Sequence, residues 1–203
     1  MLPGVGFKIP ELLDAEFLKG LPSNKKPAAS RHDSPVAPDA ALLAALAQEL
    51  VALSAMTPQA RGFAFEKFLK KLFDVYGMSA RASFRLVGEQ IDGSFALAGE
   101  TYLLEARWEN DQTGASALHA FAGKIGGKAA WSRGLFFSQA GFSDDGLVAY
   151  GRGRATQLIC MDGFDLYEML SRNLRLDEVI ARKARRAAET GSPFARVRDL
   201  FPH

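Results

Sequence analysis

Two short stretches with apolar centres, GLFFS at 134–138 and TQLICM at 156–161, most constrain what this chain can fold into. A strand with one wet face alternates apolar and polar residues, whereas a run of this length without alternation is covered on both faces. Both runs are short, and helix-like segments separate them: 115–131 before the first, 143–150 between them and 162–170 after the second. Strands alternating with helices in this way predict an α/β sheet with covering helices.

Upstream, Leu42, Leu43, Leu46, Leu50 and Leu53 recur at helical spacing behind Asp39, a good N-cap. Thr57-Pro58 opens a second helix that runs to Tyr76 and stops at Gly77. Its buried face is expected to hold Gly62, Phe65, Leu69, Leu72, Phe73 and Tyr76, and Glu66 falls on the same face. A carboxylate there is costly unless something cationic receives it, so Glu66 is read either as a rim salt bridge or as part of a site. The expected order is then three meandering strands, helix, strand, helix, strand, helix.

The middle of that meander is where folding preferences fail. In GEQIDGSFALAGETYLLEARW, 88–108, period-two alternation puts Gln90, Asp92 and Ser94 on one face and Ile91, Phe95 and Leu97 on the other. The return limb puts Leu103, Glu105 and Arg107 on one face, opposite Tyr102, Leu104, Ala106 and Trp108. A turn through Ala98-Gly99-Glu100 brings Asp92 within about one position of Ala106, beside Glu105 and Arg107. Two carboxylates about 4 Å apart repel by about 1 kcal/mol in water and about 4 kcal/mol at an effective dielectric near 20. Acids gathered at a sheet edge therefore call for a cation. Mg²⁺ suits an all-oxygen site in which carboxylates supply a few ligands and water or phosphate the rest, with the Ala106 carbonyl as one more donor.

A helical Glu66, strand-borne Asp92, Glu105-Ala106-Arg107, GLFFSQAGFS and LICMDGFDLYEML together resemble the Mrr-type restriction endonuclease domains of the PD-(D/E)XK nuclease superfamily. The resemblance covers roughly Gln59 to Leu170. It implies a three-layer core with a central mixed β-sheet flanked by helices, a DNA partner and a setting in prokaryotic defence or genome maintenance. It further implies that Asp92 and Glu105 bind Mg²⁺ (or Mn²⁺ in its place), that Glu66 supports the metal, and that the chain is an endonuclease hydrolysing DNA phosphodiester bonds.

At the family lysine, two residues after the glutamate, this chain has Arg107, an E-x-R variant. A guanidinium with a pKa above about 12 cannot deprotonate water near neutrality, but it orients water and offsets phosphorane charge. Lys124 and Lys128, four apart on one helical face, are read either as a phosphate-contacting face or as the source of a replacement lysine. Gln90 either orients a water at the site or makes a structural hydrogen bond. His119 reads as a packing histidine, and Trp108 and Trp131 as core or rim aromatics. The alternative to a nuclease is a catalytically degenerate domain of the same fold that binds DNA, or a subunit that docks on a protein partner.

Three segments are expected: an arm and linker over residues 1–38, the nuclease-like domain over 39–171, and a basic tail over 172–203. The linker LPSNKKPAASRHDSPVAP has no apolar period to bury. The tail concentrates Arg182, Lys183, Arg185 and Arg186 in one helix, a DNA clamp, a solvated helix or a contact for a homodimer or protein partner. Net charge is only +2, so charge alone does not argue for nucleic acid. No basic leader precedes an apolar run and no window approaches about 20 apolar residues, so a cytoplasmic protein is expected. The single cysteine, Cys160, excludes a disulfide within the chain and a thiolate zinc site, and lies in an apolar run.

Overall fold

The computed structural model describes residues 38–86, 88–152 and 155–202; the expected arm and linker lie outside the described residues except for Pro38. Helix α1 (Ala40–Leu53) starts where Asp39 accepts a hydrogen bond from the Ala41 amide. It buries Leu43, Leu46, Leu50 and Leu53, while Leu42, expected in the same stripe, stays exposed. Helix α2 (Pro58–Val75) begins at the proline and ends at Tyr76, with Gly77 in the left-handed region at φ 68°.

Four strands form one sheet in the order β3-β4-β5-β6: β3 (Gly93–Leu97), β4 (Glu100–Arg107), β5 (Ser132–Ser138) and β6 (Leu158–Asp162). The β3–β4 pair is antiparallel and the β4–β5 and β5–β6 pairs are parallel, so the sheet is mixed as expected. The hairpin turn, expected through Ala98-Gly99-Glu100, is the two-residue loop Ala98-Gly99, with φ 52° and 83°; Glu100 already pairs with Leu97, so the register differs by one residue from the expected one. Two further strands, β1 (Phe84–Leu86) and β2 (Glu89–Ile91), pair only with each other.

The expected three-strand meander is thus four strands, because the first limb of the hairpin breaks at Asp92. Ile91 joins the core on the side of α3 (Ala115–Gly126), while Phe95 joins the core on the side of α2. Side-chain parity is therefore not kept through Asp92, and the reading that set Ile91 and Phe95 on one face is corrected. At the break, a Cβ on Gly93 would lie 2.9 Å from the Arg81 carbonyl, an approach only glycine allows.

The two sheet faces carry separate apolar clusters. Leu104, Leu135, Phe137, Ile159 and Met161 pack against α1 and α2, and Leu103, Phe136, Leu158 and Cys160 pack against α3. Helix α3 is shorter than the expected 115–131 because Gly126-Gly127 ends it; the Gly127 and Lys128 amides bond back to the Gly123 and Ile125 carbonyls. Its close seat on the sheet requires Gly134, where a Cβ would fall 2.2 Å from Ile125 Cδ1 and 2.9 Å from a Phe121 ring carbon.

Helix α4 (Asp144–Gly151) and α5 (Gly163–Ser171) are capped by Ser143 and Asp162. The C-terminal segment is part of the fold and not an appended tail. Helix α6 (Leu176–Thr190) buries Leu176, Val179 and Ile180, and α7 (Val197–Leu200) buries Val197, all in the cluster that holds α1 and α2. Among the described residues no helix is long and apolar enough to cross a membrane.

Candidate active site at the end of strand β4

Register explains why the acids meet. Gly93 pairs with Leu104, so β3 starts opposite the middle of β4, and Glu105, Ala106 and Arg107 extend past it with β5 on their other side. Asp92 sits in the space left at that edge. Its amide donates to the Leu104 carbonyl at 3.2 Å, and its Oδ2 accepts the Ala106 amide at 3.0 Å. The backbone thus clamps Asp92 beside Glu105 from both of its polar ends.

The side chains around this point carry mixed charge. Lys124 on α3 places Nζ 2.7 Å from Glu105 Oε2 and 3.0 Å from the Gln90 carbonyl. Arg107 is held more loosely, 3.6 Å from Glu105 and 3.7 Å from Glu109, with its guanidinium 5.6 Å from the centre of the Phe136 ring. Glu66 faces the site from α2, across a cleft lined by Phe63, Lys67, Lys70, Ser83 and Asp92.

Electrostatics mark the acids as a group. Burial pushes the Asp92 carboxyl above the usual carboxylate range; the Ala106 amide pulls against this, Glu105 adds to the rise, and Lys124 and Gln90 oppose it. Glu66 is also raised, first by burial and then by the charge of Asp92, against a hydrogen bond from Ser83 and with a smaller push from Glu105. The carboxylate charge that adds to burial at Asp92 and Glu66 would be relieved by a cation among the acids.

The donor set has the chemistry of a site for a hard divalent ion. Asp92 and Glu105 are two carboxylates at one edge with a backbone carbonyl between Glu105 and Arg107, a set that Mg²⁺ completes with water or phosphate. Among the described residues there is no group of three His, Cys, Asp or Glu side chains close enough to hold an ion. Glu66 is therefore a second neighbour to the site and not a third ligand in this arrangement.

Of the residues expected to act, Asp92, Glu105, Arg107, Glu66, Gln90 and Lys124 come together. Lys128 lies beyond the end of α3 and pairs with Glu89 on β2. The α6 cations do not join them, since α6 packs beside β6, at the edge of the sheet opposite β3. Lys183 corrects an expectation: it is buried at 1% exposure, with Nζ 2.6 Å from Asp165 Oδ2 and bonded to the Cys160 and Ala195 carbonyls, so no phosphate reaches it. Arg182 pairs with Glu178 and bonds the Leu200 carbonyl, Arg185 pairs with Glu189, and both keep exposed surface, as does Arg186.

Sequence reasoning missed Ser83 as the partner of Glu66 and Asp165 as the partner of Lys183. The Lys183 pairing had a visible signal, because Leu176, Val179, Ile180, Lys183 and Ala187 form one helical stripe. Ser83 had none, since it lies outside any regular element.

The family model of the Mrr catalytic domain, described as restriction endonuclease, matches residues 50–170. No curated protein matches the chain. Among solved structures, a protein of unknown function, AF1548, is similar at 18% identity and TM-score 0.41, over 61% of this chain and 76% of that one. A type III CRISPR defence DNA nuclease activated by cyclic oligoadenylate is similar at 20% identity and TM-score 0.33, over 53% and 21% of the two chains. The MspJI restriction endonuclease, solved with a 27-mer oligonucleotide, is similar at 10% identity and TM-score 0.40, over 79% and 39%. This chain thus spans about a fifth and about two fifths of the latter two.

Proposed function

The chain belongs to the Mrr-type restriction endonuclease family, and from that premise we propose that it is a Mg²⁺-dependent endonuclease hydrolysing DNA phosphodiester bonds at the end of β4. The observation that carries this reading is the clamped pair Asp92 and Glu105 inside the family-matched segment. When bound there, a divalent ion polarises the phosphate, acidifies water and stabilises the leaving oxygen. Asp92 and Glu105 would hold it, with the Ala106 carbonyl as a further donor and Mn²⁺ as a substitute ion.

The protein's own residues do the rest. Glu66 and Gln90 orient water on the side of the cleft, and Arg107 offsets charge on the phosphorus oxygens. In the reaction a water oxygen bonds to phosphorus, the opposite bridging P–O bond breaks, the leaving oxygen takes up a proton and the water gives one to solvent. Arg182, Arg185 and Arg186 on α6 serve as exposed phosphate contacts in this reading, and Lys128, half-buried against Glu89, as a further one. One site cuts one strand, so cleavage of both strands calls for a homodimer. A cytoplasmic setting and a role in defence follow the same reading.

Cleavage of plasmid, linear and single-stranded DNA with Mg²⁺, Mn²⁺ or EDTA tests the proposal. Wild type should cut only with metal, and Asp92→Ala and Glu105→Ala should each lower the rate by about 100-fold or more. Cutting in EDTA, or undiminished cutting by both variants, contradicts it. A second reading, DNA binding without cleavage, draws on the lack of any three-acid group among the described residues; it predicts salt-dependent binding with no cutting by wild type.

A further inference from the structure

Arg107 leaves a gap in the chemistry of this site, and the structure offers a cation from another element. We infer that Lys124, delivered from α3, is the ammonium that contacts the reacting phosphate, with Arg107 in a lesser role; the inference rests on the nuclease reading above.

The geometry separates the two cations. Lys124 Nζ is in hydrogen-bond contact with Glu105 at 2.7 Å, whereas Arg107 reaches the same carboxylate at 3.6 Å and divides itself between Glu105, Glu109 and the face of Phe136. An ammonium has three N–H donors. Two of them are engaged, by Glu105 Oε2 and the Gln90 carbonyl, which leaves one for a phosphate oxygen placed against the acid pair. The side chain is a quarter exposed, so it is open to a ligand while its position is held.

The fold keeps that position through α3. Lys124 stands between Phe121 and Ile125, the two residues that drop onto Gly134, so the closeness of helix to sheet sets how far the ammonium reaches over β4. A compact ammonium fixed at both ends suits the stabilisation of charge that grows on phosphorus oxygens as water attacks, because its donors need no rearrangement at that moment. The carboxylate it neutralises is also one of the two that would hold the metal.

The test combines single-turnover cleavage of a labelled duplex in Mg²⁺, duplex affinity in Ca²⁺, and Ca²⁺ affinity without DNA. The variants are Lys124→Met, Lys124→Gln, Arg107→Met and the double variant Lys124→Met with Arg107→Lys, with folding checked by circular dichroism. Both Lys124 variants should cut about 100-fold more slowly, with duplex affinity within about threefold of wild type. Arg107→Met should lose less than about tenfold, and the double variant, which moves the ammonium to β4, should regain about tenfold over Lys124→Met. Without DNA, removing the ammonium from Glu105 should tighten Ca²⁺ binding several-fold, a change that loss of a surface phosphate contact would not produce.

Cleavage by Lys124→Met and Lys124→Gln within about threefold of wild type overturns the inference and leaves the nuclease reading standing. So does a fall in duplex affinity as large as the fall in rate, which would make Lys124 a phosphate contact on the binding face. A wild type that cuts no DNA while Asp92→Ala behaves identically overturns both.

Discussion

Lys183 and Lys124 look alike in the sequence and have opposite fates. Each lies on a helix that packs on the sheet, yet Lys183 is sealed against Asp165 while Lys124 remains open beside Glu105. Burial raises the Asp165 carboxyl above its ordinary value, and the Lys183 ammonium works against that rise. Removing one partner leaves the other charge buried alone, so Lys183→Met is expected to lower stability by about 3–5 kcal/mol. Chemical denaturation, compared with an Arg185→Met control on the exposed side of the same helix, checks this; equal midpoints would contradict it. Cys160 belongs to the same interior, and burial pushes its thiol far up, so it should resist alkylation until the protein unfolds.

At the scale of elements, the parts legible in the sequence were those with a strong period or a strong stop. The α1 and α2 starts at Asp39 and Thr57-Pro58, the place of the hairpin turn around Gly99 and the two apolar strands all carry local chemistry that fixes them. The break at Asp92 was not legible, because it arises from tertiary packing: β2 pairs with β1, β3 pairs with β4, and the Arg81 carbonyl crowds Gly93. The approach of Asp92 to Glu105 was readable from the hairpin only to within one position, because the turn is one residue shorter than expected. The contact of Lys124 with Glu105 was not, since it depends on how closely α3 rides on β5.

That closeness is open to test. Gly134→Ala places a methyl group where Ile125 and Phe121 now lie, and α3 must lift to admit it. Overpacking of this kind costs about 1–3 kcal/mol. A modest fall in melting temperature should come with a larger loss of cleavage rate than of DNA affinity, because the displaced helix carries Lys124. Unchanged stability and rate would show that α3 does not depend on that approach.

For the molecule as a whole, the main revision concerns residues 172–203, expected as an appended basic tail. Leu176, Val179, Ile180 and Val197 complete the core that α1, α2 and α5 begin, and Arg172 bonds the Phe201 carbonyl at 2.6 Å. Truncation after Ser171 should therefore abolish cooperative unfolding instead of merely weakening DNA binding; a truncated chain with a sharp melting transition would contradict this. The basic residues misled the sequence reading because charge count is visible without structure, while the apolar stripe that runs beside it on α6 decides the packing.

The account rests on the acid pair at the end of β4 being a divalent-metal platform, and calorimetric titration of Mn²⁺ into the protein with a bound non-cleavable duplex tests it most directly. One saturable site in wild type, lost in both Asp92→Ala and Glu105→Ala while the variants keep their fold, is the predicted result. Mn²⁺ binding that is absent in wild type, or that survives both substitutions, would contradict it.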